Sequence, residues 1–185
     1  MNYLYIYIGE LPEYIKYSIN SVLSVDKNAN IYLCTNKKSS YKNCNLINLN
    51  EIQSEKIDYL TDNNYFKNTN YASNPLWINS LLRILYLEKI VENYNLDSFV
   101  HFDSDIIVYE PFDRLSTFVK DEMVNITQHS VDQLIFGYSF FPNLEITKLL
   151  CKEVDLVIKN MEKHIKDNFG NPLNEMDILG KIFKS

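Results

Sequence analysis

Apolar and polar residues alternate along this chain with two periods, one of about two residues and one of three to four. The two-residue period is clearest at residues 3–8, where Leu4, Ile6 and Ile8 alternate with tyrosines, and it predicts a strand. Short apolar runs predict further strands, and residues 106–109 form an extended segment. The additional predicted strands cover residues 30–35, 46–49, 98–103, 123–128 and 135–141.

The longer period predicts the helices. The first follows Pro12, which the first turn of a helix accepts, and its apolar stripe begins at Ile15. The clearest helix runs from Leu76 to about Tyr94, and others cover residues 150–165 and 175–183. Residues 50–74 are expected to be a loop with one helical turn. Strands that alternate with helices predict an α/β fold, with a mostly parallel sheet flanked by helices, in a single domain of residues 1–185.

Composition and charge narrow the class of protein. The chain is 46% hydrophobic and 23% charged, so it can bury a core. A net charge of −6 argues against nucleic acid as the main partner, because phosphate backbones require clustered Lys and Arg. No apolar run approaches the ~20 residues of a transmembrane segment, and the first residues lack the features of a signal peptide. Three scattered cysteines suit a reducing compartment, so we expect a cytoplasmic location.

Two carboxylates, Asp103 and Asp105, follow an apolar strand, where open α/β sheets place their ligands. In an extended chain, residues two apart point to one face. Two such charges repel unless a cation lies between them or one is protonated. Magnesium typically uses one or two carboxylates together with substrate phosphates, so the pair indicates a metal-bridged diphosphate. The alternative is a pair of turn-forming aspartates.

The runs at residues 83–88 and 99–109, with their Asp-x-Asp, resemble the nucleotide-sugar glycosyltransferases of the GT-A fold. The similarity extends from the first strand through residues 136–141 to residues 174–179. It implies a Rossmann-like GT-A sandwich in which Asp103 and Asp105 hold Mn²⁺ or Mg²⁺ on the diphosphate of a sugar nucleotide, with Ser104 in the donor site. The implied reaction transfers a sugar, most often a hexose, from a nucleoside-diphosphate donor to a hydroxyl of a glycan or glycolipid.

The resemblance also implies donor-binding residues away from the Asp-x-Asp. Arg83 matches an arginine in the family's preceding helix and would reach the diphosphate; alternatively it is an ordinary arginine whose charged end extends to solvent. Tyr7, Ile8 and Gly9 end the first strand, where such folds seat the nucleotide base. Asn36 follows the second strand and is a candidate ribose or base contact. Gly9 and Asn36 are also common turn residues.

Near the end of the sequence, Glu175 and Asp177 match the region where the family places an acidic residue beside the transferred sugar. Either one is a candidate general base, or a stabiliser of an oxocarbenium-like state. Aspartate is more usual than Glu175 at this place in the family. The alternative is that both are carboxylates favoured at a helix N-terminus. His101, by contrast, is expected to be a packed histidine rather than a ligand.

Two rival functions remain open. Enzymes of this fold commonly supply a further metal ligand, often a histidine, from a segment after the catalytic acid. About ten residues follow Glu175 in this sequence, and none of them is a histidine. Either water completes the metal's ligands, or the chain is a degenerate module that binds a nucleotide or a partner without activity. A haloacid-dehalogenase-type phosphatase also uses Asp-x-Asp, but Ile107 stands where that family has Thr or Val, and its motif normally lies near the start of the domain.

Overall fold

The computed structural model of the protein describes residues 1–69 and 71–184. Six strands form one sheet in the order β3-β2-β1-β4-β6-β5. The first four strands in this order are parallel, while β6 runs antiparallel to β4 and β5 antiparallel to β6. The strands are β1 (Asn2–Tyr7), β2 (Asn30–Thr35), β3 (Asn45–Asn48), β4 (Phe99–Phe102), β5 (Asn125–Gln128) and β6 (Leu134–Phe141). The predicted α/β fold with a mostly parallel sheet is confirmed.

Helices cover both faces of this sheet. Helix α1 packs on one face, while α2, α3, α4 and α6 contribute buried residues to the core on the other. The helices are α1 (Ile15–Val25), α2 (Glu55–Asp62), α3 (Leu76–Tyr94), α4 (Leu144–Lys159), α5 (Met161–Asp167) and α6 (Glu175–Lys184). None of the helices within the described residues is both long and apolar enough to cross a membrane.

Strand β1 lies in the middle of the parallel part of the sheet, and both of its faces are buried. Leu4 and Ile6 enter the core beneath α3, while Tyr3 and Tyr5 enter the core beneath α1. The Tyr5 hydroxyl is hydrogen-bonded to the Ser18 hydroxyl at 3.0 Å, so this buried polar group has a hydrogen-bond partner. A central parallel strand covered on both sides accounts for this pattern.

The structure corrects three sequence-based predictions. Residues 50–74, apart from Asn70, which lies outside the described residues, contain the eight-residue helix α2 rather than a single turn. Its two buried residues, Ile57 and Leu60, form too short a stripe for the periodicity to reveal. Residues 106–109 form no strand. The long helix predicted over residues 150–165 is interrupted at Asn160, whose side chain donates to the Leu156 carbonyl and ends α4 there.

Candidate functional site

A cavity of about 430 Å³ opens at the carboxyl ends of β1 and β4. Its walls come mainly from residues 6–10, from residues 74–76 with Asn79, Ser80 and Arg83 around the start of α3, and from residues 103–105. Seven of the residues predicted for the site line it: Tyr7, Ile8, Gly9, Arg83, Asp103, Ser104 and Asp105. Segments far apart in sequence thus meet where open α/β sheets bind their ligands.

Asp103 and Asp105 reach this cavity through a turn rather than through a continued strand. Strand β4 ends at Phe102; the Asp103 amide still donates to the Gly137 carbonyl of β6 at 2.9 Å, and the Ile106 amide then bonds back to the Asp103 carbonyl at 3.3 Å. The expectation that an extended chain places both carboxylates on one face is therefore wrong, because the chain turns at Asp103 and is not extended there. Both side chains nevertheless line the same cavity.

Arg83 is the charged centre of the site. Its Nη1 pairs with Oδ1 of Asp103, and its Nη2 lies 3.2 Å from Oε2 of Glu175. Only 16% of the Arg83 side chain is exposed, so its head does not extend to solvent as a surface arginine would. One guanidinium therefore joins α3, the end of β4 and the start of α6.

Burial and charge act differently on the two ends of the Arg83–Glu175 pair. Burial by itself lowers the pKa of Arg83, but the Glu175 and Asp103 carboxylates outweigh it and raise that pKa. For Glu175, burial is the largest effect and raises the pKa above its usual value; Arg83 opposes this shift and the Asp103 charge adds to it. Glu175 is only 8% exposed, which accounts for the dominance of burial.

The end of β1 is held in place by side chains from neighbouring elements. The Gly9 amide donates to Asn36 Oδ1 at 2.8 Å, and Gly9 adopts a positive φ of 121°, which disfavours other residues. The Asn79 side chain donates to the Ile8 carbonyl at 3.3 Å. Asn36 is not among the residues that line the cavity; it supports the turn at Gly9, and a direct contact with ribose or base stays a prediction.

Glu175 and Asp177 have different surroundings. Glu175 begins α6 and contacts Arg83 behind the wall of the cavity, without lining the cavity itself, whereas Asp177 lines a separate surface cavity with Lys181. The Asp177 amide donates to Asn174 Oδ1 at 3.1 Å, and the Asn174 amide donates to Asp177 Oδ2 at 3.4 Å. This reciprocal arrangement is a capping box. Asp177 Oδ1 also accepts from Gln133 Nε2 at 2.8 Å.

The donor set suits a hard divalent cation only in part. Asp103 and Asp105 supply carboxylate oxygens of the kind that Mn²⁺ and Mg²⁺ bind. Within residues 1–69 and 71–184, however, no group of three or more His, Cys, Asp or Glu side chains is arranged to hold a metal ion. The two aspartates therefore fit a cation that takes its remaining ligands from substrate phosphates and water.

The sequence analysis missed several residues of the site. Asn79 and Ser80 line the cavity one helical turn before Arg83, and spacings of three and four residues from Arg83 could have identified them. Gly137 has a role that no local pattern shows: a Cβ atom there would lie 2.7 Å from Asp103 Oδ2. Glycine at this position of β6 leaves the space that the Asp103 carboxylate occupies.

His101 is a packed histidine, as expected from the sequence. It is fully buried, its Nδ1 lies 3.0 Å from the Leu4 carbonyl, and its ring centre lies 4.7 Å from that of Phe136. Burial lowers the pKa of His101 to about 3, with a further contribution from the positive charge of Arg83.

Fold and cavity together define an α/β protein whose cleft lies at the carboxyl ends of its parallel strands. No family model and no curated protein sequence matches the chain. Solved structures do match it. Galactosyltransferase LgtC, in complex with donor and acceptor sugar analogues, aligns with 99% of this chain and 70% of its own length, at a TM-score of 0.62 and 12% identity.

Two further solved structures align over nearly the whole of this chain. Mouse xyloside xylosyltransferase 1 matches at a TM-score of 0.59 and 12% identity, covering 100% of this chain and 82% of that one. The glycosyltransferase GlyE of Streptococcus pneumoniae TIGR4 matches at 0.59 and 16% identity, and the alignment covers 100% of this chain but 44% of GlyE. The chain has the GT-A glycosyltransferase fold, as its resemblance to that family implied. The phosphatase alternative gains no support from this fold.

Proposed function

We propose that the protein is a glycosyltransferase that moves a sugar from a nucleoside-diphosphate donor to a hydroxyl of a glycan or glycolipid acceptor. The main support is that Asp103, Asp105 and Arg83 line one cavity together with the end of β1, in a GT-A fold. Solved structures of this fold include LgtC with donor and acceptor sugar analogues, which supports a sugar nucleotide as ligand here.

In this proposal, the carboxylates of Asp103 and Asp105 hold Mn²⁺ or Mg²⁺. When bound, the cation acts as a Lewis acid and neutralises charge that develops on the departing diphosphate. Arg83 places a second, permanent positive charge at the same wall of the cavity, and its planar guanidinium matches phosphate oxygens in geometry. Tyr7, Ile8 and Gly9 also line the cavity and form the proposed seat of the nucleotide, with Ser104 between the two metal ligands in the sequence.

Glu175 is the proposed catalytic carboxylate. A pKa raised by burial makes it a stronger proton acceptor than an ordinary glutamate. Its contact with Arg83 also fixes the guanidinium beside Asp103. Asp177 is the second candidate from the sequence, behind Glu175. Its side chain is engaged in the capping box and with Gln133, which also favours Glu175 for the role.

The test combines donor binding with turnover. Purified protein is titrated with UDP and GDP in the presence of Mn²⁺, and then incubated with the corresponding sugar nucleotides while donor hydrolysis and transfer to added sugars are measured. We expect metal-dependent binding and turnover. Asp103→Asn and Asp105→Asn should each weaken Mn²⁺–nucleotide binding by ~10-fold or more, because each removes one of two anionic ligands.

Asp97→Asn provides the matched control, because Asp97 is an exposed aspartate at the opposite end of β4. It should bind nucleotide as the parent does. If both site variants bind as tightly as the parent, the metal role is wrong.

A second candidate function is a binding module without activity. Asp103 and Glu175 are both paired with Arg83, and the described residues place no third metal-binding side chain beside the aspartates. A parent that binds a nucleotide with Mn²⁺ but hydrolyses and transfers no sugar would establish this second function instead.

A further inference from the structure

Three buried side-chain nitrogen or oxygen atoms within residues 1–69 and 71–184 have no hydrogen-bond partner, and two of them adjoin the candidate site. These two are Arg83 Nε and His101 Nε2; the third is Oδ1 of Asp155, in helix α4. Buried polar atoms in proteins are nearly always paired. Two unpaired atoms beside one site therefore indicate an arrangement of this site in which they have partners.

The hydrogen positions make these two atoms complementary. His101 Nδ1 lies 3.0 Å from the Leu4 carbonyl, which can only accept, so Nδ1 carries the proton. With the proton on Nδ1 and the ring fully buried, Nε2 is an acceptor with a lone pair. Arg83 Nε always carries a proton and can only donate.

The fold brings the two side chains to the same side of the sheet. His101 shares its face of β4 with Phe99, and it lies two residues before Asp103, whose carboxylate pairs with Arg83. That face is covered by α3, which carries Arg83, and Phe136 beside His101 belongs to the same core.

We propose that His101 is a positioning residue for Arg83: when a cation binds the Asp103 carboxylate, Arg83 keeps its contact with Glu175 and donates its Nε–H to His101 Nε2. The identity of that cation rests on the proposed function. Arg83 contacts Oδ1 of Asp103, so a cation bound at that oxygen would displace the guanidinium from it. An arginine that loses Asp103 needs another partner to stay in place. His101 holds the guanidinium charge beside the diphosphate while Asp103 serves the metal.

The first experiment needs no ligand. Asp103→Ala removes the competing carboxylate, so Arg83 should turn to His101 in this variant. The sequence has only two arginines, Arg83 and Arg114, so the Nε–H region of a ¹⁵N–¹H spectrum holds two signals and Arg114→Lys assigns them. We expect a scalar coupling across an N–H···N hydrogen bond between Arg83 Nε and His101 Nε2. A folded Asp103→Ala protein without this coupling overturns the proposal.

The second experiment measures what the contact does. Mg²⁺ and UDP are titrated into the parent, His101→Asn and His101→Gln. Asparagine can still donate to the Leu4 carbonyl but has no acceptor at the far side of the ring, whereas the glutamine side-chain oxygen can reach that position. His101→Asn should weaken Mg²⁺–UDP binding about tenfold, and His101→Gln less than about threefold, as expected for one hydrogen bond to a charged donor.

Thermal unfolding separates positioning from packing. Equal losses of affinity in the two histidine variants, or losses that simply follow their melting temperatures, would show that His101 only fills space and would overturn the proposal. A parent that binds no nucleotide overturns the proposed function alone, because the coupling in Asp103→Ala still decides whether Arg83 pairs with His101.

Discussion

Replacement of Arg83 by leucine should destabilise the protein strongly at neutral pH, because it leaves the Glu175 carboxylate buried without its partner. The two side chains are 16% and 10% exposed, respectively. Removing one member of a buried ion pair typically costs about 3–5 kcal/mol. Because the pair borders an open cavity, we take the lower end, about 3 kcal/mol, which corresponds to a fall in Tm of roughly 6–12 °C for a chain of this size.

The loss of stability should shrink in acid. Burial raises the pKa of Glu175, and Arg83 is the largest influence that lowers it, so the pKa of Glu175 rises further in Arg83→Leu. A carboxyl group whose pKa is raised on folding binds its proton more tightly in the folded state. The variant therefore regains stability as pH falls below that raised pKa, and loses it as pH rises. Urea unfolding at pH 7.5 and pH 5.0 measures the difference.

Two further variants test whether the unpaired Glu175 carboxylate causes the loss of stability. Glu175→Gln added to Arg83→Leu should restore most of the stability at pH 7.5, because the buried charge is gone. Arg114→Leu removes the other, exposed arginine and should change the free energy of unfolding by less than about 0.5 kcal/mol. A deficit for Arg83→Leu that is equal at both pH values, and that Glu175→Gln does not relieve, would refute the argument from an unpaired buried carboxylate.

Three other measurements test the site and its surroundings. Gly137→Ala should displace the Asp103 carboxylate, because the new Cβ atom would lie 2.7 Å from Oδ2. A calorimetric titration should then show weaker Mn²⁺ binding, while the free energy of unfolding stays within about 1 kcal/mol of the parent's. Glu175→Gln should lower kcat by ~10²–10⁴ with donor affinity nearly unchanged, whereas Asp177→Asn should mainly lower Tm; the reverse ranking in steady-state kinetics would assign catalysis to Asp177. The neutral, buried His101, with a pKa lowered to about 3, should make the parent lose stability as pH falls from about 6.5 towards 3, because the unfolded chain takes up the proton first; urea unfolding of His101→Asn should show a shallower pH dependence.

Much of the fold was predictable because its strands carry their signals locally. The alternation in β1 and the long apolar stripe of α3 predicted those elements to within about two residues, with Pro75 before the helix and Asn95, in a left-handed conformation, after it. Helix α2 was missed because only two of its eight residues are buried. The break at Asn160 was missed because apolar spacing continues across it and a side-chain hydrogen bond ends the helix.

The site was less predictable, since its decisive features are contacts between distant segments. Asp103 and Asp105 could be proposed from their place after a strand and from the family resemblance. The neighbours of Arg83 in sequence are apolar and suggest that leucine would be accommodated there; only the fold brings Glu175, 92 residues away, to its guanidinium. The space that Gly137 leaves for Asp103 likewise depends on the antiparallel pairing of β4 with β6.

The central position of β1 also fixes the order in which the protein can fold during its synthesis. Its first neighbour, β2, pairs Asn30 with Asn2, but its other neighbour, β4, pairs Phe99 with the same residue. At ~5–20 residues per second, a ribosome needs roughly 3–14 seconds to make the chain between these two partners of Asn2. During that interval β1 has one open edge, and its apolar residues are available to chaperones or to other nascent chains. The wall of the cavity that carries Asp103 forms only after β4 has emerged, so ligand binding cannot assist the earliest steps of folding.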